Sequence, residues 1–304
     1  MKRKLVRFNT LLWVVLLAVQ FLPDRTEKDA LSPAMVWFVV GAGVFMTLLA
    51  LRIKTAEGLQ LHVDVFCAIF ACLIAWTLAT AKWNLMRESL FPAPGQVFTQ
   101  MAEDYSKIFI NIGSSLGIIA QGFVLGAVIA IPLGLFFGES ARFGKAAGYI
   151  AVFLGAIPPV VYIPYGIALL PTFRSVSVFV IFLATFWPTL ASTMSGVAHI
   201  ERRVLDSARV LNVNRPTMLF RIVLPASLPS IFNGLGIGLT ISFILLTSAE
   251  MIGSKAGMGY YVRYYSDFGD YTRTVVGIII IGIVITAIMY GFNRLQRRLL
   301  RWRG

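Results

Sequence analysis

The sequence predicts an all-α fold, a polytopic membrane helical bundle of about eight transmembrane helices with an amphipathic helical loop on the cytoplasmic side. Three observations carry this reading. First, 58% of the 304 residues are hydrophobic and 13% are charged, a balance foreign to soluble domains. Second, apolar runs of about 18–24 residues recur along the chain, each long enough to cross a bilayer as a helix. Third, the excess of basic over acidic residues gathers on one side of the membrane that those runs define.

Taken in order, Met1–Asn9 carries Lys2, Arg3, Lys4 and Arg7 ahead of the apolar run Thr10–Leu22. Phe21-Leu22-Pro23-Asp24 follows, with no small-residue cleavage site, so the run reads as a retained, short first span. Asp24–Ser32 is a polar link, and Pro33 opens a second span over Ala34–Leu51. A third runs from about Val63 to Ala81 and holds Cys67 and Cys72. Their five-residue separation puts them on different helix faces, which predicts neither a disulfide nor a metal site. Trp83–Asp104, with Phe91-Pro92-Ala93-Pro94-Gly95, reads as an irregular connector. Tyr105–Gly138 is a long glycine-rich fourth helix. Ala146–Leu170 is a fifth span broken by Pro158-Pro159 and Pro164, and Val176–Ser195 is the sixth. Ser230–Ile252 and Thr274–Phe292 complete the set, followed by a basic tail.

The net charge of +13 would suggest nucleic acid in a soluble chain, but its distribution points to a membrane instead. With the N-terminus placed in the cytoplasm, 18 of the 27 Lys and Arg fall inside, against 5 of the 14 acids, so the whole excess lies on one side. Both termini and residues 199–225 then face the cytoplasm.

His199–Pro225 is a charged interruption between long apolar runs. Helical winding of Ile200–Leu211 places Ile200, Val204, Leu205, Ala208 and Leu211 on one face. Glu201, Arg202, Arg203, Asp206 and Arg209 fall on the other, with Asp206 one turn from Arg202, Arg203 and Arg209. Val213–Arg215 breaks the periodicity. Pro216 suits the first turn of a second short helix, Thr217–Leu224, which is expected to stop at Pro225. Both pieces are too polar to span, so they are expected to lie at the membrane surface.

Asp206-Ser207-Ala208, then Asn212, then Ile222-Val223-Leu224-Pro225 resembles the cytoplasmic loop of ABC importer permeases. In that family the pattern is Glu-Ala-Ala, three residues, Gly, about nine residues and Ile-x-Leu-Pro. Asp206 keeps the carboxylate. Asn212 replaces the glycine with the other residue that readily visits the left-handed region. Phe91-Pro92-Ala93-Pro94 resembles the Leu-Pro-Ser-Pro segment of nitrate-, taurine- and sulfonate-type permeases. Ala249-Glu250 with Gly257-Met258-Gly259-Tyr260 is similar to that group's Ala-Glu…Gly-x-Gly-Tyr segment. Leu170-Pro171 departs from it, standing where relatives carry Phe-Gly. The resemblance covers about Val63–Arg303, so residues 1–61 read as an accessory N-terminal transmembrane hairpin and 62–304 as the permease core with its loop at 199–225.

The resemblance implies a permease pathway and a separate ATPase subunit that binds ATP and Mg, so no cofactor is expected in this chain. It also implies a periplasmic or lipid-anchored solute-binding protein and a permease homodimer in membrane lipid. By the resemblance, the ATPase-coupling residues are Arg202, Arg203, Asp206, Ser207, Ala208, Arg209, Asn212, Val213, Asn214, Leu224 and Pro225. Hydroxyl and aromatic groups supply the pathway-lining candidates: Tyr162, Thr185, Trp187, Thr189, Ser192, Thr193, Ser242, Thr247 and Ser248. The resemblance favours small anions such as nitrate, taurine or alkanesulfonates as the substrate, with uncharged heterocycles, carried by relatives of the same group, as the alternative.

Other chemistry is poorly supported. His62 and His199 lie far apart near span ends and read as interfacial polar residues. No nucleophile has an evident partner. Gly138–Ala146 imitates a phosphate loop, but five residues separate its glycines and Ala146 occupies the Ser/Thr position. A secondary transporter, the alternative reading, would show inverted repeats and ionisable groups at mid-membrane, and the sequence shows neither. The spacings Gly113xxxGly117, Gly122xxxGly126 and Gly134xxxGly138 read as close helix packing. So do Gly234, Gly236 and Gly238. Glu250 reads as a satisfied interfacial carboxylate in preference to a pathway-rim group.

Overall fold

The computed structural model describes residues 2–23, 33–53, 56–85 and 90–301. The polar link Asp24–Ser32 and the last residues of the basic tail, 302–304, lie outside them. The helices are α1 Lys2–Gln20, α2 Pro33–Arg52, α3 Ala56–Thr77, α4 Pro94–Glu103, α5 Tyr105–Gly138, α6 Ala141–Gly155 and α7 Ile163–Leu169. They continue as α8 Phe173–Ala198, α9 Arg202–Val210, α10 Arg215–Thr217, α11 Leu224–Gly253, α12 Met258–Asp267 and α13 Tyr271–Leu299. No strand occurs among the described residues.

Among the described residues six helices are long and apolar enough to cross a membrane: α2, α3 with the turn after it, α5, α8, the continuous run Arg215–Gly253, and α13. The pair Arg142–Gly155 and Pro159–Leu169, bent by 74°, makes a seventh when counted as one span. The apolar helix Asn9–Gln20 is shorter than these, so a total of eight would require it to cross as well.

Two other expectations are corrected. The connector Trp83–Asp104 contains a helix, α4, because Ala93 is extended and Pro94 sits at the first helical position, where its missing N–H costs nothing. The second loop helix also does not stop at Pro225. A π-helical segment, Met218–Val223, joins α10 to α11, and Pro225 falls in the first turn of the resumed α-helix. The wider π turn shifts the carbonyl that a proline ring would otherwise strike.

The chain divides into two compact units, residues 1–109 with 262–279, and 110–261 with 280–304. In the first, α1, α2 and α3 share a core of Leu16, Met35, Val39, Met46 and Phe70. The Trp13 indole lies on Gly43, where a Cβ would collide with it, and donates to Val39 O at 2.8 Å. Lys82, 6% exposed, donates Nζ–H to Gln20 O at 3.3 Å and Leu22 O at 2.6 Å, capping the end of α1. Asp104 is 5% exposed and receives Arg273 Nε at 2.6 Å and Lys107 Nζ at 3.1 Å. Cys67 and Cys72 are both free thiols.

The second unit is organised around α8. A Cβ at Gly122, Gly126, Gly134 or Gly138 on α5 would meet Ile181, Thr185, Thr193 or Val197 within 2.7, 2.8, 2.5 and 2.7 Å respectively. The constant offset between partners means that α5 and α8 run parallel, in close backbone approach, as the small-residue spacing predicts. Against α11 the pairing runs the other way: Gly196 meets Ser230, Gly234 meets Ser192, and Gly238 meets Thr185. These two helices are antiparallel. Since α5 and α8 are parallel, α6 and α7 return the chain along the length of the bundle between them.

Candidate functional site

At the end of α8, His199 caps the helix with its own backbone N–H, and its Nδ1 lies 2.7 Å from Ser195 O. Helix α9 is shorter than predicted, nine residues from Arg202 with Glu201 at its N-cap. Ala208 is buried and Leu205 half-buried, near a small core of Leu135, Val197 and Val223 that also takes in Ile200, Met218, Leu219 and Leu224. The predicted apolar face is therefore only partly covered. Val204 is 45% exposed and Leu211 76%, and Val210 is 81% exposed beside them. Arg202, Arg203, Asp206, Ser207 and Arg209 all face outward. Of the three ion pairs open to Asp206, the one formed is with Arg209 Nη1 at 3.0 Å.

The bend after α9 has the geometry that the Asn-for-Gly exchange requires. Asn212 has φ 51°. Its N–H donates to Arg209 O at 3.0 Å, and Val213 N–H to Ala208 O at 3.1 Å. These two bonds make a Schellman motif with Asn212 as the left-handed residue. Asn214 then caps α10, its Oδ1 accepting from Thr217 N–H at 3.0 Å. One end of the loop is fixed by a left-handed cap and the other by a side-chain cap, with a single residue between. Beyond it Leu224 and Pro225 are half-buried where α11 begins.

The pathway candidates separate into two groups. Thr185, Thr189, Thr193 and Ser242 are wholly buried. Thr185 and Ser242 hydroxyls lie 3.2 Å apart across α8 and α11, and Thr193 donates to Thr189 O at 2.7 Å. Thr185 also fills the space left by Gly126 and Gly238, so it works as a packing residue between three helices in this conformation. Tyr162, Trp187, Ser192, Thr247 and Ser248 keep partial exposure. Tyr162 ends the short turn Pro159–Tyr162 at the bend of the broken span.

Glu250, on α11, is 1% exposed. Ser115 Oγ donates to Oε1 at 2.6 Å, and Gly259 N–H donates to Oε2 at 2.8 Å. The Ser115 hydroxyl in turn accepts Met258 N–H at 2.8 Å, and Asn111 Oδ1 accepts Gly257 N–H at 2.8 Å. Gly257 has φ 127°, and the place a Cβ would take is held by the Glu250 carboxyl group. The carboxylate therefore fastens the turn after α11 onto α5, which accounts physically for an Ala-Glu followed by Gly-x-Gly. Sequence reasoning singled out Glu250 and the glycines but missed Asn111 and Ser115. Their one-turn spacing on an otherwise apolar stretch of α5 was the available signal.

The stretch that imitates a phosphate loop is the α5–α6 turn, where Ser140 caps α6 by accepting Phe143 N–H. Among the described residues no group of three or more His, Cys, Asp or Glu is placed to hold a metal ion. His62 lies 3.0 Å from Met46 O and against the Phe66 ring.

Residues 122–302 match the family model described as binding-protein-dependent transport system inner membrane component. A probable ABC transporter permease protein of Brucella melitensis is 33% identical over 235 residues, 76% of this chain and 96% of that protein. The taurine transport system permease protein of Escherichia coli is 27% identical over 262 residues, covering 83% and 94%. A nitrate import permease protein of Synechocystis is 31% identical over 228 residues, covering 71% and 82%. Among solved structures, a chain of the inward-facing MetNI methionine ABC transporter aligns with a TM-score of 0.56 at 14% identity, covering 65% of this chain and 98% of that one.

Proposed function

Since the chain belongs to the binding-protein-dependent transport system inner membrane component family, we propose that residues 199–225 couple it to its ATPase. It is a transport subunit and not an enzyme: the permease that forms the translocation pathway of a bacterial ABC importer beside an ATPase subunit. The observation that carries the coupling reading is the surface of α9. Val204, Val210 and Leu211 stand exposed among Arg202, Arg203 and Arg209. Burying Val210 and Leu211 in a partner groove is worth up to about 1.5–3 kcal/mol each, and Val204, 45% exposed to begin with, adds less. The arginines and Asp206 would orient the helix in that groove. Closure of the ATPases around ATP and Mg would then push α9 as a rigid body, since Asn212 and Asn214 fix both sides of the bend. Leu224 and Pro225 would pass the motion into α11, and Ser207, Ala208 and Val213 shape the contact.

The remaining features follow the same reading. The one-sided charge supports cytoplasmic termini and a cytoplasmic loop, with eight crossings if both α1 and the bent pair span. Residues 1–61 serve as an accessory hairpin on a core of 62–304, a reading supported by the taurine permease relative, 94% of which is matched by 83% of this chain. A homodimer lines the pathway with Tyr162, Trp187, Ser192, Thr247 and Ser248, and a solute-binding protein delivers substrate from outside. Relatives named for nitrate, taurine and bicarbonate support a small oxyanion or sulfonate as the cargo.

Co-expression with the ATPase subunit tests the coupling assignment. Reversing charge at Arg202, Arg203 and Arg209 together should abolish co-purification while leaving the permease membrane-inserted and monodisperse. Undiminished capture would refute it.

A further inference from the structure

Between α5 and α8, at the end opposite the coupling loop, lies an open groove of about 340 Å³. One wall is Gln121 and Leu125 of α5, one turn apart. The other is the α8 stripe Arg174, Val178, Phe182, with Phe179 beside it. The Arg174 guanidinium reaches α5, where a Cβ on Gly117 would stand 3.7 Å from Nη2, in ordinary van der Waals contact. Among the described residues neither Arg174 nor Gln121 has a hydrogen-bond partner. The other polar lining group, Ser175, is already engaged with Thr172 at 2.7 Å.

The groove is graded along its length. The Arg174 cation stands at the helix-end level, and from there to Phe182 the α8 wall is apolar for two turns, about 12 Å, with Gln121 of α5 level with Val180 by the constant offset between the two helices. Phe179 and Phe182 form a stacked pair with ring centroids 6.5 Å apart. A small hydrophilic anion would satisfy Arg174 but leave the apolar walls uncovered. An anion carrying a long alkyl chain satisfies both. We propose that this groove binds one anionic phospholipid, its phosphate on Arg174 and an acyl chain along Leu125, Val178, Phe179 and Phe182. A planar guanidinium pairs a phosphate through two parallel N–H donors. The assignment depends only on the chain being a membrane protein, not on the proposed coupling role or on which leaflet the groove faces.

Native mass spectrometry of the detergent-purified full-length protein tests it, with phosphatidylglycerol and phosphatidylcholine of equal chain length offered separately. Wild type should retain one phosphatidylglycerol in preference to phosphatidylcholine. Arg174→Gln should bind it about tenfold more weakly, the loss of one charge-assisted pair, and Arg174→Lys should recover part of that loss. Leu125→Trp, which fills the apolar half and spares the cation, should also weaken binding. Its elution profile and its retained capture of the ATPase subunit serve as the folding controls. Equal retention of the two lipids by wild type would overturn the proposal. So would glycerol phosphate competing as well as the whole lipid, which would make the site one for a free phosphate ester. Efficient disulfide formation between two copies through Phe179→Cys would overturn it too, by assigning the groove to a second copy.

Discussion

The Glu250 clamp gives the most quantitative prediction, through Gly257→Ala. Two costs combine there. At φ 127° an alanine occupies a backbone region that L side chains rarely adopt, a strain of about 1–3 kcal/mol. Its Cβ would also occupy the place of the Glu250 carboxyl group, which must swing away and release Ser115 Oγ and Gly259 N–H. Each released donor is buried, and leaving such a group unpaired costs about 1–3 kcal/mol. The sum is ~3 kcal/mol at the least by these values. Gly269 is the internal control: its φ is 73°, and nothing lies within 4 Å of where its Cβ would be. Gly269→Ala should therefore pay strain alone. Thermal unfolding in detergent, followed by circular dichroism, would rank the two. A double-mutant cycle separates the terms, since in a Glu250→Ala background Gly257→Ala should pay strain alone and cost less than it does in wild type. Equal effects of the two glycine substitutions in wild type, or strict additivity in the cycle, would refute the clamp.

Three further expectations concern the loop, the first unit and the topology. Asn212→Gly should preserve reconstituted uptake, while Asn212→Val, a β-branched residue at φ 51°, should keep membrane insertion and uncouple ATP hydrolysis from uptake; equal activities would mean that Asn212 is not the hinge. Deleting residues 1–51 should leave insertion and ATPase binding intact but lower stability, because Lys82 loses its acceptors on Gln20 and Leu22. Loss of ATPase binding despite normal insertion would place the hairpin in the core. In a variant whose Cys67 and Cys72 are serine, an impermeant thiol reagent applied to intact cells should label Lys255→Cys and spare Glu201→Cys; the reverse pattern would invert the topology.

The local features of the chain were legible and the long-range ones were not. The glycine and alanine stripe of α5 announced close packing because one-turn spacing of small residues is itself a geometric statement. Asn212 could be read because only a few residue types enter the left-handed region at low cost. Pro225 misled, since a proline ends a regular α-helix, and no local signal marks the π segment Met218–Val223 that lets the helix run on. Pro94 misled in the opposite sense, starting a helix where a proline pair reads as a breaker. The hydroxyl and aromatic candidates could be found but not sorted, because Thr185 and Trp187 differ in burial through which face of α8 meets α5 and α11. The acceptors of Lys82 lie about 60 residues away and the Ser115 donor to Glu250 is 135 residues distant, separations at which a single sequence carries no pairing signal.

The central claim, that α9 is the surface on which the ATPase acts, is tested most directly by a cross-link. Val210 and Leu169 are about equally exposed, at 81% and 80%. They lie beyond opposite ends of α8, a helix of 26 residues and about 39 Å. With the native cysteines replaced, Val210→Cys and Leu169→Cys should be assembled separately with the ATPase subunit and treated with a short bifunctional thiol reagent. The account predicts a permease–ATPase cross-link from position 210, with a yield that changes when nucleotide is added, and none from position 169. Cross-linking from 169 and not from 210 would contradict it.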